Sequence, residues 1–297
     1  MLDPYGVTGG VRASVSVRSV YPLPTLPERA RGPLEVFACP WRHRTLVWQL
    51  TKREVLGRYR GSTFGLFWAV LQPLVLLGLY TFVFGIVFQA RWGMPLERPG
   101  EFALVLFAGL VVYTLFSECV LRGPLLVVAN PTYVKRMVFP LEVLPWVAVG
   151  SALFHAAVSL GVLLVGHLLL RGPIPWTIVT IPVILLPCVL LSVAVGWVLA
   201  SLGVYFRDMV QAVGLLTTAV LFLSPVFYPL SALPASLRPY ASANPLAIVI
   251  ESLRTVLFAG ELPSWPALGA ALVVSLLAAW ASLAWFERTR PGFADVL

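Results

Sequence analysis

The sequence is poor in charge. Lys, Arg, Asp and Glu make up 11% of its 297 residues, against roughly 25% in soluble domains, and lysine occurs only at positions 52 and 135. The 13 acidic residues mostly stand singly in loops or tails, as do Glu97, Glu101, Glu251, Glu261, Glu287 and Asp295. No two carboxylates are convincingly paired, and neither HExxH nor GxSxG occurs, which argues against an enzyme working at a membrane surface, a glycosyltransferase included. The three cysteines, Cys39, Cys119 and Cys188, are odd in number and lack CxxC spacing, so neither a disulfide framework nor a metal site is expected. There is no GxxxxGK[ST] phosphate loop; if the protein uses ATP, another chain binds it. The net charge of +8 comes without a basic run interleaved with aromatics outside the apolar segments, so nucleic acid is not expected as a partner. Residues 1–40 hold Pro4, Pro22, Pro24, Pro27, Pro33 and Pro40 among scattered arginines. With no apolar core of a signal peptide, this stretch reads as a flexible cytoplasmic tail.

What is abundant is apolar length. Hydrophobic residues reach 59% and the mean hydropathy is +0.89, more apolar surface than a soluble core absorbs. A bilayer absorbs it if each span is a helix of about 20 apolar residues with its backbone hydrogen bonds closed internally. The apolar runs predict spans near 64–88, 102–121, 143–170, 176–205, 209–228 and 265–286. The fourth and fifth are divided mainly by Arg207 and Asp208. With the N terminus inside, 16 of the 21 Lys and Arg residues fall on the cytoplasmic side, the orientation that the positive-inside rule favours, and both termini are expected in the cytoplasm.

Two segments read as membrane-associated without spanning. Over 41–60, Trp41, Trp48, Val55 and Tyr59 share a helical arc from which Arg42, Arg44, Arg53 and Arg58 mostly lie away, the pattern of an interfacial amphipathic helix. Over 228–260 the chain is too proline-rich for one helix and too apolar for a free loop. Its end repeats Leu246, Val249, Ile250, Leu253, Val256 and Leu257 at helical spacing, with Glu251 and Arg254 on the other side. A re-entrant or surface-lying helical hairpin, serving as a gate or as a plain outer cap, is expected there. The predicted fold class is therefore an all-α integral membrane protein: a transmembrane domain over 61–290 with six spans, an interfacial helix before it and an outer hairpin between spans five and six.

Ionisable groups within the spans are few. Glu118 has Arg122 four residues on, which suits a helix ion pair near the inner interface, and His155 reads as a satisfied core histidine. Together they are thin support for a proton relay of an ion-coupled secondary transporter. Tyr80, Phe84 and Phe88 form a stripe toward the outer end of span one, and Phe64 with Trp68 a second near its inner end. Such rings can stack on sugar faces and let a glycan slide; they also suit an interfacial belt.

The run KREVLGRYRGSTFGLFWAVLQPLVLLGLYTFVFGIVF (residues 52–88) resembles the permease subunit of type-2 ABC exporters of polysaccharides. The resemblance continues in order through NPTYVKRMVFPLEVLP (130–145), VYFRDM (204–209), SPVFYP (224–229) and NPL (244–246), and covers roughly residues 45–286. It implies a homodimeric channel of two permease chains, with ATP and Mg bound by two copies of a separate ATP-binding subunit. The substrate implied is a glycan on an undecaprenyl-diphosphate lipid, of O-antigen or capsule type, with teichoic acid also open and a drug or small lipid as the nearest rival. The setting implied is the bacterial inner membrane, in contact with its lipids. Carried onto this sequence, Asn130, Pro131, Tyr133, Lys135, Arg136, Met137 and Phe139 belong to a cytoplasmic coupling helix docking on the ATPase. Pro131 suits a helix start, Tyr133 and Met137 offer apolar knobs, and Lys135 and Arg136 can reach carboxylates or lipid phosphates. Arg58 and Arg60 lie where a diphosphate headgroup enters, a role suited to guanidinium, although positive-inside anchoring explains them equally. Arg207 and Asp208 match the family's inner turn after span four, as a structural ion pair rather than a substrate contact. Ser224, Pro225, Phe227, Tyr228, Pro229, Asn244 and Pro245 match the family's outer gate.

Overall fold

In a bilayer, backbone groups must find their hydrogen bonds within the segment, and apolar runs of this length do so as helices. The computed structural model describes residues 32–87, 100–135 and 139–297. Phe88, Arg136, Met137 and residues 1–31 of the expected tail lie outside the described residues, and Lys135 is described by its backbone alone. In chain order the helices are α1 (Glu35–Arg42), α2 (Arg44–Tyr59), α3 (Trp68–Tyr80), α4 (Glu101–Arg122), α5 (Leu125–Val128), α6 (Pro131–Lys135), α7 (Leu144–Leu170), α8 (Ile181–Tyr205), α9 (Met209–Leu223), α10 (Arg238–Ala243), α11 (Pro245–Arg254), α12 (Trp265–Thr289) and α13 (Phe293–Val296). Tighter or wider turns extend some of them: Gly65–Phe67 and Thr81–Val87 flank α3, and Thr255–Ala259 continues α11. Among the described residues there is no strand.

Among the described residues, five helical stretches are long and apolar enough to cross a bilayer: Gly65–Phe84, Glu101–Arg122, Leu141–Leu170, Trp176–Tyr205 and Trp265–Val296; the shorter apolar Met209–Leu223 is the sixth. Prolines at the first turns of α7, α8 and α12 sit where no intrahelical donor is needed. Between α8 and α9 the chain bends at Phe206, which is extended at φ −125°, ψ 104°. α9 stops at Leu223, short of the expected boundary at residue 228. Ser224 turns to extended backbone at φ −90°, ψ 148°, and Pro225 and Pro229 lack the N–H that a helix would require.

α4 is the most enclosed of these helices, buried along most of its length between α7, α8, α11, α9 and α3. The most extensive pairing joins α8 to α12. α2 packs on α7, close enough at Gly150 that a Cβ there would sit 2.7 Å from the Thr51 hydroxyl. One end of the bundle gathers α1, α6, α13 and the turn after α8: Arg290 of the C-terminal segment binds Glu142, and the Tyr205 hydroxyl donates to the Thr289 carbonyl.

Two stretches differ from the sequence expectation. The last part of the supposed flexible tail forms α1, whose Val36 and Cys39 are buried, with α1 packed on α12. The apolar stripe at i and i+3 is too short to stand out in a proline-rich composition. In the hairpin segment before α12, expected to be re-entrant or surface-lying, burial of α11 rules out the surface-lying alternative. Leu246, Val249, Ile250 and Leu253 are at most 3% exposed, and α11 lies against α4, α8 and α12.

Candidate functional site

The Asn130–Phe139 segment begins with a side-chain bond from Asn130 to the Leu126 carbonyl, 3.0 Å, and Pro131 opens α6. Pro131 and Thr132 are exposed. Tyr133, expected as an apolar knob, is half-buried: its ring stacks on Phe139 at 4.2 Å between centroids, and its hydroxyl accepts from Arg53 of α2 at 2.8 Å. Just past the segment, Arg290 donates to the Phe139 carbonyl and to the Glu142 carboxylate, both at 2.9 Å. The segment is thus tied to α2 on one side and to the segment after α12 on the other. Arg207 and Asp208 are both exposed and make no salt bridge with each other among the described contacts, contrary to expectation. Adjacent side chains at a helix start diverge, so a pair at i and i+1 does not face itself.

A second cluster forms where the end of α2 meets α4 and α7. Arg58 Nη1 lies 2.5 Å from Glu118 Oε1, His155 Nδ1 2.9 Å from Glu118 Oε2, and the Tyr59 hydroxyl 2.9 Å from His155 Nε2. Burial holds the Tyr59 phenol above its ordinary pKa, so it stays neutral and can donate to Nε2. Nδ1 then carries the hydrogen that Glu118 accepts, because an unprotonated Nδ1 at that distance would face a carboxylate lone pair. Arg122, expected to pair with Glu118, does so at 3.9 Å and also binds Glu54. Arg58 is therefore engaged, while Arg60 and the aromatics Phe64 and Trp68, in edge contact at 5.9 Å, are exposed. The cluster lines a cavity of about 280 Å³ shared with Gln72, Tyr80, Thr114 and Ser159. A polar floor under an aromatic and aliphatic wall suits an amphiphilic guest.

At the other end, Arg254 organises the SPVFYP segment. It is 2% exposed and donates to three backbone carbonyls, Val105 at 3.0 Å, Pro225 at 2.6 Å and Val226 at 2.8 Å, with Glu251 3.0 Å away. Gly109 of α4 makes room for it: a Cβ there would lie 2.6 Å from Nη2. Asn244 caps α11 through the Leu246 N–H and donates to the buried Ser224 hydroxyl at 3.3 Å, with Pro245 following as the first helical residue. Phe227 stacks with Phe84 at 6.4 Å, and Phe84 meets Tyr80 and Phe102. The Tyr228 hydroxyl donates back to the Phe222 carbonyl at 2.9 Å, and Pro229 is half-buried. Phe84 of the span-one stripe is thus packed against the hairpin.

These segments fall in one recognised pattern. Residues 45–258 match the family model described as ABC-2 type transporter. The chain belongs to that family. It is also similar to the protein named O-antigen export system permease protein RfbA of Myxococcus xanthus, 31% identical over 86% of this chain and 96% of that one. Two proteins of the same printed name from Klebsiella pneumoniae are 24% and 25% identical, each over 84% of this chain and 93% of their own.

As an ABC-2 permease the chain is a non-catalytic membrane subunit, and its family works with an ATP-binding cassette partner. Among the described residues no group of three or more His, Cys, Asp or Glu could hold a metal ion. Sequence reasoning missed the packing role of Arg254, because helical spacing puts it opposite the leucine face and says nothing of a second face covered by the hairpin. It also missed the junction of Arg58, Glu118 and His155, which are 37 to 97 positions apart. A basic residue at the end of an amphipathic helix, with one acid inside a span, was the available signal.

Proposed function

We propose that this ABC-2 permease is the membrane half of an ATP-driven exporter that carries an undecaprenyl-diphosphate-linked, O-antigen-like polysaccharide across the bacterial inner membrane. The observation that carries the reading is similarity over most of both chains to proteins named as O-antigen export permeases. Two copies pair about a twofold axis to enclose the conduit, the default symmetry for identical subunits. Two ATP-binding subunits hold ATP and Mg and dock on the Asn130–Phe139 segment. Both termini of the chain are cytoplasmic.

The geometry supports this division of labour. α6 sits at the end of the bundle that also holds the C terminus, and Arg53 and Arg290 tie its segment to α2 and to the segment after α12. Displacement of α6 by the partner would reach two other elements directly. Arg60, with Arg58 beside it, offers guanidinium groups to a diphosphate at the start of span one. Phe64 and Trp68 extend an exposed aromatic surface from there, while Ser224–Pro229 and Asn244–Pro245 close the outer end. A drug or small-lipid exporter of the same family is the rival. Deleting the gene decides: undecaprenyl-linked polymer accumulates inside the cell on this reading, and its absence refutes the glycan substrate. Among the described residues, the Glu118–His155 contact is in keeping with an ion-coupled carrier, and such a carrier would run on a proton gradient without ATP.

A further inference from the structure

The 280 Å³ cavity has a neighbour. A more open cavity of about 670 Å³ is lined by Glu54, Gly57, Leu121, Arg122 and Ser151, and Arg58, Gln72, Thr114 and Glu118 line both. The two spaces therefore meet at the Arg58–Glu118 ion pair. The partners of that pair are unequally held. Glu118 keeps His155 at 2.9 Å and Arg122 at 3.9 Å if Arg58 leaves, and its side chain is 17% exposed. The Arg58 side chain is 50% exposed, and its described contacts run through Nη1 alone. Its other guanidinium N–H groups are therefore available for a planar, two-point contact with an oxyanion, the geometry in which guanidinium outperforms ammonium.

We infer that the Arg58–Glu118 pair is a competitive latch between the two cavities, opened when a diphosphate group takes Arg58 from Glu118. The inference rests on the proposal that the substrate carries a diphosphate. In the latched state the Glu118 carboxylate neutralises the guanidinium and faces an incoming diphosphate as a like charge, and α2 is held by its last turn against α4 and α7. On binding, the carboxylate keeps His155 and Arg122, and the last turn of α2 loses its tie to α4 while Tyr59 keeps His155 of α7. The latch makes Glu118 a selectivity element: a neutral lipid cannot displace a carboxylate from guanidinium, and a diphosphate can.

The test measures binding of farnesyl diphosphate to the permease with its ATP-binding partner in lipid nanodiscs, with farnesol and inorganic diphosphate as parallel probes. Removing the competitor by Glu118→Gln should tighten farnesyl diphosphate binding about tenfold, with Glu118→Asp falling between it and the wild type. Arg58→Gln should weaken binding at least as much, and farnesol should bind all forms alike. Glu118→Asp keeps the charge, so it reports on the latch if the Gln variant does not assemble. Unchanged or weaker binding by the Glu118 variants overturns the latch, as does wild-type binding by Arg58→Gln. Equal affinity for inorganic diphosphate overturns recognition of a lipid-borne group. Failure of these binding results with surface polysaccharide intact removes the latch alone. The predicted binding pattern without accumulation of lipid-linked polymer in the deletion strain removes the polysaccharide reading and leaves an anion latch.

Discussion

Arg254→Met is the most informative single perturbation of the hairpin between α9 and α12. The substitution keeps an unbranched chain of similar reach and removes the guanidinium, which leaves the carbonyls of Val105, Pro225 and Val226 without that donor. A buried polar group stripped of its partner costs about 1–3 kcal/mol, and removing one member of a buried charged network about 3–5 kcal/mol. Here the lower end applies, because the Glu251 side chain is 33% exposed and can turn to solvent once unpaired. A loss of about 3 kcal/mol, at about 2–4 °C per kcal/mol for a chain of this size, lowers the midpoint of thermal unfolding by about 6–12 °C. The assay is loss of the monodisperse fluorescent peak after heating in detergent, with the permease fused to a fluorescent protein. Arg254→Lys should lie between the two, since an ammonium can reach one or two of three divergent carbonyls. A Met variant within about 1 °C of the wild type would refute the claim that Arg254 pins the hairpin to α4.

The same contact predicts that Gly109→Ala destabilises by about 1–3 kcal/mol through crowding of the guanidinium, and that with Arg254→Met the two losses sum to less than their separate values; full additivity in the same heating assay argues against it. Burial pushes the Cys39 thiol up to about 12, so at pH 8 about one thiol in ten thousand is ionised. Maleimide should therefore label Cys39 slowly in the native protein and rapidly after unfolding, and mass spectrometry of the labelled peptide reads the difference. Arg290→Ala frees the Phe139 carbonyl and Glu142 and should lower transport per ATP hydrolysed in the reconstituted complex, with insertion into the membrane unchanged. Replacing Tyr133, Lys135 and Arg136 together should uncouple ATPase from transport; wild-type transport would remove the coupling assignment.

Apolar length and charge bias carried the membrane class and the six apolar helices, because hydropathy integrates over about twenty residues and tolerates local error. Boundaries set by one or two residues were less visible. Pro225 and Pro229 end α9 early, yet the apolar run continues past them through Val226, Phe227 and Tyr228. α1 was hidden because its fold depends on a surface supplied by α12, far away in sequence. For the candidate site, the motif order was readable, but the partners were not. Arg254 reads as one basic residue on an amphipathic helix, and only the hairpin folded over α4 encloses it. Arg58 reads as a positive anchor, and only the packing of α2 against α4 and α7 brings it to Glu118.

The central claim is that this ABC-2 permease moves a lipid-linked polysaccharide with energy from an ATP-binding partner. The most direct test places the permease and that partner in sealed vesicles loaded with undecaprenyl-linked polymer on the ATP-accessible face, and follows the polymer's arrival on the other face. The account predicts arrival that requires both ATP and the partner and is unaffected when the proton gradient is collapsed. Arrival without ATP or partner, abolished by collapsing that gradient, would contradict it.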